Sequence, residues 1–306
     1  MKKEIIINQK IIKLIILFFL LTILITIFLK NRELINLNIY LKKKDRILVY
    51  TCCDELYSHY IPIFCNTILR SDKLKIIDIE IGVNLPKLSI NEEKALDYIK
   101  RKYFYSKIII KYNFFIKNNT GTFFNNLKVW TNSVRFISQP KLKNKYVYIT
   151  DIDMIILVDN FYLHLLDDMN RRNNKYSNIV RPNSYRLSGL HFTEYEAYYP
   201  IPKQKNYNIC DEKLLFNIVK SRLTKIDFNT KYRPNFGIHA SPNRQNVNSD
   251  KNVGWFAELH KFSWINYIKS SDFKYIYPLL DQFIKHKISL INNYYGIKDI
   301  ELSKIN

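Results

Sequence analysis

Strand-like and helix-like segments alternate through the first half of this chain, and this alternation limits its fold more than any other feature. Apolar residues at helical spacing predict helices, and short apolar runs predict strands. The predicted helices are 57–70, 90–102 and 123–137, and the predicted strands are 46–50, 76–83, 107–112 and 146–150. Such alternation is typical of an α/β fold with a mainly parallel sheet flanked by helices. No repeat or Gly/Ser linker divides residues 46–306, which predicts one domain.

Glycine is scarce, and this excludes two common nucleotide-binding folds. The dinucleotide-binding turn and the P-loop both need clustered glycines. The chain has six, all isolated: Gly82, Gly121, Gly189, Gly237, Gly254 and Gly296. A Rossmann dehydrogenase and a P-loop kinase are therefore excluded.

The net charge of +21 is high, but it is a weak indication of function. The basic residues are spread along the chain, whereas a nucleic-acid binder more often shows a basic stripe with interleaved aromatic residues. The abundance of Lys, Ile, Asn and Tyr is also what an AT-rich coding bias produces. We predict no nucleic-acid partner. A non-enzymatic, basic, membrane-anchored binding protein remains an alternative.

Residues 11–29 form a nearly uninterrupted apolar run. As a helix they would extend about 28 Å, close to the roughly 30 Å of a bilayer's hydrocarbon core. No small-residue cleavage site follows, which favours a single-pass anchor over a signal peptide. We predict a flank at 1–10, the anchor at 11–29 and a stem at 30–45. Basic residues on both sides leave the orientation open: the cytoplasmic face in a bacterium, or the Golgi or ER lumen in a eukaryote.

The last predicted strand runs into Asp151 and Asp153, and apolar residues follow at once. Side chains at i and i+2 of an extended strand point to the same side, which predicts that both carboxylates face one site. Ligands of open α/β sheets bind beyond the carboxyl ends of the strands. Two carboxylates there suit Mn2+ or Mg2+, whose remaining ligands are phosphate oxygens and water.

This segment resembles the DxD motif of glycosyltransferases with the GT-A fold. The order of the other motifs is similar to the retaining family 8 type, which includes glycogenin and lipopolysaccharide galactosyltransferases. Four further segments carry the resemblance: Asn132–Ile137 with Arg135, Leu187–Phe192 with Ser188 and Gly189, Cys210–Asn217 with Asp211 and Glu212, and Pro234–His239. The resemblance covers residues 46–245. Residues 246–306 are expected to form a helical, aromatic-rich part of the same domain.

The resemblance implies a membrane-anchored, metal-dependent hexosyltransferase. The expected donor is a nucleotide sugar, with UDP as the expected nucleotide, and the acceptor is a glycan, glycolipid or glycoprotein. The implied metal ligands are Asp151, Asp153 and His239, and the implied catalytic residues are Asp211 and Glu212. The donor is expected to contact Thr51, Asp54, Tyr57, Arg135, Asp151, Ser188, Gly189 and Arg244.

The chain departs from the family pattern at three sites, the simplest of which is Thr150, which precedes the DxD motif where the family prefers Leu. Glu212 stands where the family has Gln, so a carboxylate able to stabilise or attack a cationic sugar carbon replaces an amide. The family's phosphate-binding Lys has no counterpart at its spacing after His239, and Arg244 is the substitute we predict.

Simpler interpretations of single residues stay open. Asp211 also fits a helix N-cap, and an isolated His such as His239 is often structural. Gly189 and Gly237 indicate either a positive φ or a close approach of the backbone to a ligand. A haloacid dehalogenase-type phosphatase using the Asp-x-Asp motif is the alternative enzyme.

Overall fold

The computed structural model describes residues 15–23, 25, 45–178, 180–181, 184–222, 235–241 and 259–297. The chain divides into two units, 1–44 and 45–306. In the first unit, residues 15–23 and 25 are helical and exposed. The rest of the predicted anchor, the flank at 1–10 and nearly all of the stem lie outside the described residues. Within the described part of the chain, no helix combines the length and apolar character needed to cross a membrane.

The second unit is a mixed α/β structure. Its described strands, in chain order, are β1 (Ile47–Cys53), β2 (Ile77–Val83), β3 (Ile108–Lys111), β4 (Ile116–Asn118), β5 (Gly121–Phe124), β6 (Leu127–Val129), β7 (Tyr146–Ile149), β8 (Met154–Ile156), β9 (Tyr176–Ser177), β10 (Val180–Arg181), β11 (Arg186–Leu187), β12 (His191–Glu194) and β13 (Gly237–His239). Its described α-helices are α1 (Glu55–Ser58), α2 (Ile61–Ser71), α3 (Ile90–Lys102), α4 (Val134–Ile137), α5 (Tyr162–Arg171), α6 (Tyr195–Tyr198), α7 (Asp211–Arg222), α8 (Lys261–Ile268), α9 (Ser271–Ile276) and α10 (Gln282–Tyr294).

The central sheet has six strands in the order β3-β2-β1-β7-β12-β9. The first four are parallel, while β12 runs antiparallel to β7 and to β9. All seven residues of β1 and all seven of β2 are buried, as expected for strands covered on both faces. The prediction of an α/β fold with a mainly parallel sheet is confirmed.

The helix predicted over 90–102 matches α3 at both ends. Its N-terminus is fixed by a capping box, in which the Ser89 side chain accepts from the Glu92 amide and the Glu92 carboxylate accepts from the Ser89 amide. The helix predicted over 57–70 is interrupted between Ser58 and Ile61, so that it forms α1 and α2. Pro62, in the first turn of α2, is well placed to start a second helix.

The helix predicted over 123–137 is wrong. This stretch contains the end of β5, all of β6, a 3-10 turn at Thr131–Ser133 and only the short helix α4. Asn125 and Asn126 have φ values of +47° and +65°, and Phe124 pairs with Leu127 across them. Two consecutive residues with positive φ are typical of a two-residue hairpin turn, and Asn tolerates that conformation. The two asparagines therefore form a β-turn where a helix was expected.

Helices α8–α10 are held against the helices near the start of the domain. Tyr267 of α8 donates a hydrogen bond of 3.0 Å to Asn66 of α2. Asp272 of α9 accepts hydrogen bonds from Tyr98 and Tyr103. This packing brings α10 close to the carboxyl end of β7, where the candidate site lies.

Candidate metal and donor site

Asp151, Asp153 and His239 form a cluster beyond the carboxyl end of β7. The Nε2 atom of His239 lies 3.0 Å from Oδ1 of Asp153 and 3.8 Å from Oδ2 of Asp151. One ligand atom from each of the three residues lies within 4.8 Å of the other two. Two carboxylates and one imidazole are a donor set that suits Mn2+ and related divalent cations. The residues present therefore fit a metal ion.

The reason we gave for the convergence of the two carboxylates is wrong. Strand β7 ends at Ile149, and residues 152 and 153 form a turn that leads into β8. The two carboxylates are therefore brought together by a tight turn between two strands, and not by the alternation of an extended strand.

His239 reaches the turn through strand pairing. Strand β13 runs antiparallel to β8, with His239 opposite Met154 and Gly237 opposite Ile156. The amide of Ala240 donates a hydrogen bond of 2.9 Å to the carbonyl of Asp153. A Cβ atom on Gly237 would lie 1.8 Å from the carbonyl oxygen of Ile155. Gly237 is thus required for the close approach of two backbones, and its φ is not positive.

Asp153 is buried, with 3% of its surface exposed. Burial acts to raise the pKa of Asp153, but the charge and hydrogen bond of His239, together with the charge of Arg135, hold that pKa below its ordinary value. The carboxylate is consequently ionised at neutral pH. An ionised, buried carboxylate is a ready ligand for a cation.

Arg135 of α4 is buried beside the cluster. Its Nη2 atom lies 2.6 Å from Oδ1 of Asp151 and 3.6 Å from Oδ2 of Asp211. Burial acts to lower the pKa of Arg135, but the surrounding carboxylates raise it above its ordinary value. Gly189 packs against this pair, because a Cβ there would lie 2.9 Å from Nη2 of Arg135 and 3.3 Å from Oδ2 of Asp151. Gly189 also has no positive φ.

A cavity of about 230 Å3 joins these groups. Most of the residues that we predicted for the site line it, although they come from six separate parts of the chain. These residues are Asp54, Tyr57, Arg135, Asp151, Asp153, Ser188, Gly189, Asp211, Glu212 and His239. Thr51 lies inside β1, is fully buried and does not line the cavity. Arg244 lies outside the described residues.

Asp54 and Tyr57 line the cavity from the start of α1. Asp54 caps α1 by accepting a hydrogen bond of 3.2 Å from the Tyr57 amide, and it forms an ion pair with Lys117 of β4. Burial and the nearby charge of Asp153 raise the pKa of Tyr57 to about 12. Tyr57 is therefore a neutral phenol that can donate a hydrogen bond.

Asp211 and Glu212 lie in the first turn of α7 and bring two more carboxylates to the cavity. The amides of Lys213 and Leu214 bond to the carbonyl of Cys210, so the helix begins at Asp211. Negative charge in the first turn is favoured by the helix dipole. Glu212 also lies 3.9 Å from Nη1 of Arg186.

Several residues of the site were missed by the sequence analysis. The buried side chain of Asn178 makes two hydrogen bonds with the backbone of Ser188. It donates to the carbonyl at 2.9 Å and accepts from the amide at 3.1 Å. Nothing in the local sequence indicates this role, because the two residues are ten positions apart. The lining residues that we did not predict all lie within four positions of predicted ones: Cys52, Cys53, Thr131, Asn132, Ile152, Met154, Leu190 and Ser241.

No family model and no curated protein matches this sequence. Among solved structures, the apo-form glycosyltransferase GlyE of Streptococcus pneumoniae TIGR4 matches with a TM-score of 0.31 at 11% identity. That match covers 49% of this chain and 34% of GlyE, so the chain spans about a third of that protein.

Two further matches are longer. S. aureus TarS, solved as residues 1–349, has a TM-score of 0.40 at 11% identity, over 83% of this chain and 73% of that solved chain. The mannosyltransferase PcManGT from Pyrobaculum calidifontis, solved with GDP-Man and Mn2+, has a TM-score of 0.40 at 9% identity, over 81% and 73%. Similarities of this size do not assign the chain to a family.

Proposed function

We propose that this chain is a metal-dependent glycosyltransferase of the GT-A type that transfers a hexose from a nucleotide sugar. The observation that carries the proposal is the cluster of Asp151, Asp153 and His239 beside the buried Arg135, in a cavity that also holds Asp211 and Glu212. The motif resemblance described above adds to it. Mn2+ or Mg2+ is the proposed cofactor.

The lining residues divide the cavity into three parts. Asp54 and Tyr57 offer a carboxylate and a phenol for hydrogen bonds with the base and ribose. The cluster of Asp151, Asp153 and His239, called the metal cluster from here on, suits the diphosphate. Arg135 suits it as well, because a guanidinium binds phosphate oxygens through paired hydrogen bonds. Asp211 and Glu212 remain for the sugar.

Each part has a distinct task in the reaction. A divalent cation bound to the cluster would act as a Lewis acid on the diphosphate leaving group. Arg135, fixed by Asp151, adds a second positive charge at that end. Glu212 would stabilise positive charge at the sugar carbon or attack it, and attack is one route to the retention of configuration that we propose.

The finer parts of the proposal rest on the sequence. UDP is the proposed nucleotide, and the acceptor is a glycan, glycolipid or glycoprotein. We further propose that residues 11–29 anchor the chain in a membrane, on the basis of their apolar pattern alone.

An Asp153→Asn variant tests the function. It keeps the side-chain volume and removes one charged ligand of the cluster. We expect Mn2+-stimulated hydrolysis of a UDP-hexose to fall by at least about 100-fold, the order of magnitude by which loss of a charge-stabilising group slows a reaction. Released UDP, measured over a panel of nucleotide sugars, is the readout.

Asp167→Asn is the matched control, because that carboxylate is 53% exposed on α5, and among the described residues its ion-pair partner is Arg171 of the same helix. Its activity should equal that of the unmodified chain. Unchanged turnover in the Asp153→Asn variant would contradict the proposed function. Release of inorganic phosphate from a phosphomonoester, without hydrolysis of any nucleotide sugar, would favour the phosphatase instead.

A further inference from the structure

Lys287 of α10 is a buried cation that the proposed chemistry does not use. It is 7% exposed, and it lies among Ile284, Ile288 and Ile291, which form the buried face of the helix. Its Nζ donates a hydrogen bond of 3.2 Å to the backbone carbonyl of Ser241. Within the described part of the chain, Lys287 makes no ion pair.

Lysine is an unfavourable residue for this position. Burying an ammonium group without an ionic partner costs free energy, and an apolar side chain of the same length would continue the apolar face of α10. Burial lowers the pKa of Lys287, while the negative charge of Asp153 acts in the opposite direction. The hydrogen bond to Ser241, which lines the cavity two residues after His239, places Lys287 near the metal cluster.

The carbonyl that Lys287 holds belongs to the segment that carries His239. Three contacts hold successive residues of this segment. His239 lies in β13, which pairs with β8. The next carbonyl, of Ala240, accepts from the hydroxyl of Tyr60, and the carbonyl of Ser241 accepts from Lys287. Ser241 itself lines the cavity. Lys287 is therefore the contact by which α10 reaches the wall of the candidate site.

We propose that Lys287 is a positioning residue for the metal cluster, holding the His239–Ser241 segment so that the imidazole stays directed at Asp153. This inference rests on the proposed function, because it takes Asp151, Asp153 and His239 as metal ligands. It makes α10 a part of the donor site, and this explains why a lysine occupies an apolar helix face.

A Lys287→Met variant separates this role from a merely structural one. Methionine keeps the length of the side chain and removes the charge and the hydrogen bond. The melting temperature of the metal-free chain should stay the same or rise, since an apolar side chain suits the site. The affinity for Mn2+ should fall about tenfold, the lower end of the range for residues that support metal ligands.

Titration of the full chain with Mn2+ alone, followed by calorimetry, measures this affinity. Lys285→Met is the matched control, because Lys285 lies on the same helix and donates to the carbonyl of Pro278, away from the site. Its Mn2+ affinity should stay within about twofold of the unmodified chain. Lys287→Arg keeps a charged donor and should lose less affinity than the Met variant.

Mn2+ binding by Lys287→Met within twofold of the unmodified chain would overturn this inference and leave the proposed function standing. A loss by Lys287→Arg as large as that by Lys287→Met would overturn it as well, and this result can be obtained even if the Met variant does not fold. Equal Mn2+ binding by the unmodified chain and by Asp153→Asn would instead overturn the metal site, and the inference with it.

Discussion

Replacing Gly237 with Ala tests whether the metal cluster depends on the contact between two strands. The added methyl group would lie 1.8 Å from the carbonyl oxygen of Ile155, 2.8 Å from its carbon and 2.9 Å from Cα of Ile156. All three atoms are backbone, so no rotamer change relieves the clash. Restoring ordinary contact requires β13 to withdraw by roughly 1.5 Å. His239, two residues further along β13, would move with it and separate from Asp153.

The Gly237→Ala substitution should lower both the stability of the domain and its affinity for Mn2+. Overpacking of this buried contact should lower the free energy of unfolding by about 1–3 kcal/mol, which corresponds to a drop in melting temperature of roughly 2–6 °C for a domain of this size. Displacement of His239 should weaken Mn2+ binding at least tenfold. At saturating Mn2+, a tenfold weaker affinity removes about 1.4 kcal/mol of the stabilisation that the metal provides.

Thermal unfolding with and without Mn2+ measures both effects at once. Gly296→Ala is the control, because Gly296 has a φ of +71° and no atom within 4 Å of an added Cβ. It should lower stability by about 1–2 kcal/mol through backbone strain and leave the Mn2+-dependent increase in melting temperature unchanged. If Gly237→Ala retained the full Mn2+-dependent increase, the claim that this strand contact positions His239 would be refuted.

Two further substitutions probe the donor site and the fold. Gly189→Ala puts a methyl group 2.9 Å from Nη2 of Arg135. We therefore expect the KM for the nucleotide sugar, measured by steady-state hydrolysis, to rise about tenfold. The Mn2+ affinity, measured by metal titration, should change less than threefold. Glu92→Gln keeps a side-chain acceptor but removes the negative charge beside His59. The Glu92 carboxylate, through its hydrogen bond and its charge, raises the pKa of His59 above its ordinary 6.5, and His59 in turn lowers the pKa of Glu92 below its ordinary 4.5 against the effect of burial. The His59–Glu92 pair is therefore most stabilising between pH 4.5 and 6.5. Urea unfolding should show that the free energy of unfolding of the unmodified chain falls by about 0.5–1 kcal/mol as the pH rises through the pKa of His59. A fall of the same size in the Gln variant would contradict this assignment.

The four parallel strands of the central sheet could be predicted from the sequence because they are short apolar runs with clear ends. Strands β1, β2, β3 and β7 and helix α3 follow from local patterns. The helix prediction over 123–137 was wrong for the opposite reason, because the local pattern there is ambiguous. Apolar residues near Asn125 and Asn126 fit either period, and the two asparagines favour the hairpin because Asn tolerates a positive φ.

The candidate site was only partly accessible from local patterns. Asp151 and Asp153 stand out because apolar residues flank the pair on both sides, and burying unpaired carboxylates is costly. His239 joins them through a pairing between β8 and β13, which lie about 80 residues apart, and only the motif resemblance suggested it. Asn178 and Lys287 reach the site through a side chain that bonds to a distant backbone group. Interactions of this kind leave no pattern in a single sequence.

The charges of the cavity bear on why the proposed donor would need a metal ion even in so basic a chain. Five acidic residues line the cavity, whereas Arg135 is the only Lys or Arg among its described lining residues. That guanidinium already pairs with Asp151, and Lys117 offsets the charge of Asp54 only. A diphosphate that enters the cavity therefore meets an excess of negative charge at close range. The net charge of +21 is spread over a distant surface, and salt screens its effect on the cavity. A divalent cation held by Asp151, Asp153 and His239 reverses this local balance, so the electrostatics of the cavity favour metal-dependent over metal-independent binding of the donor.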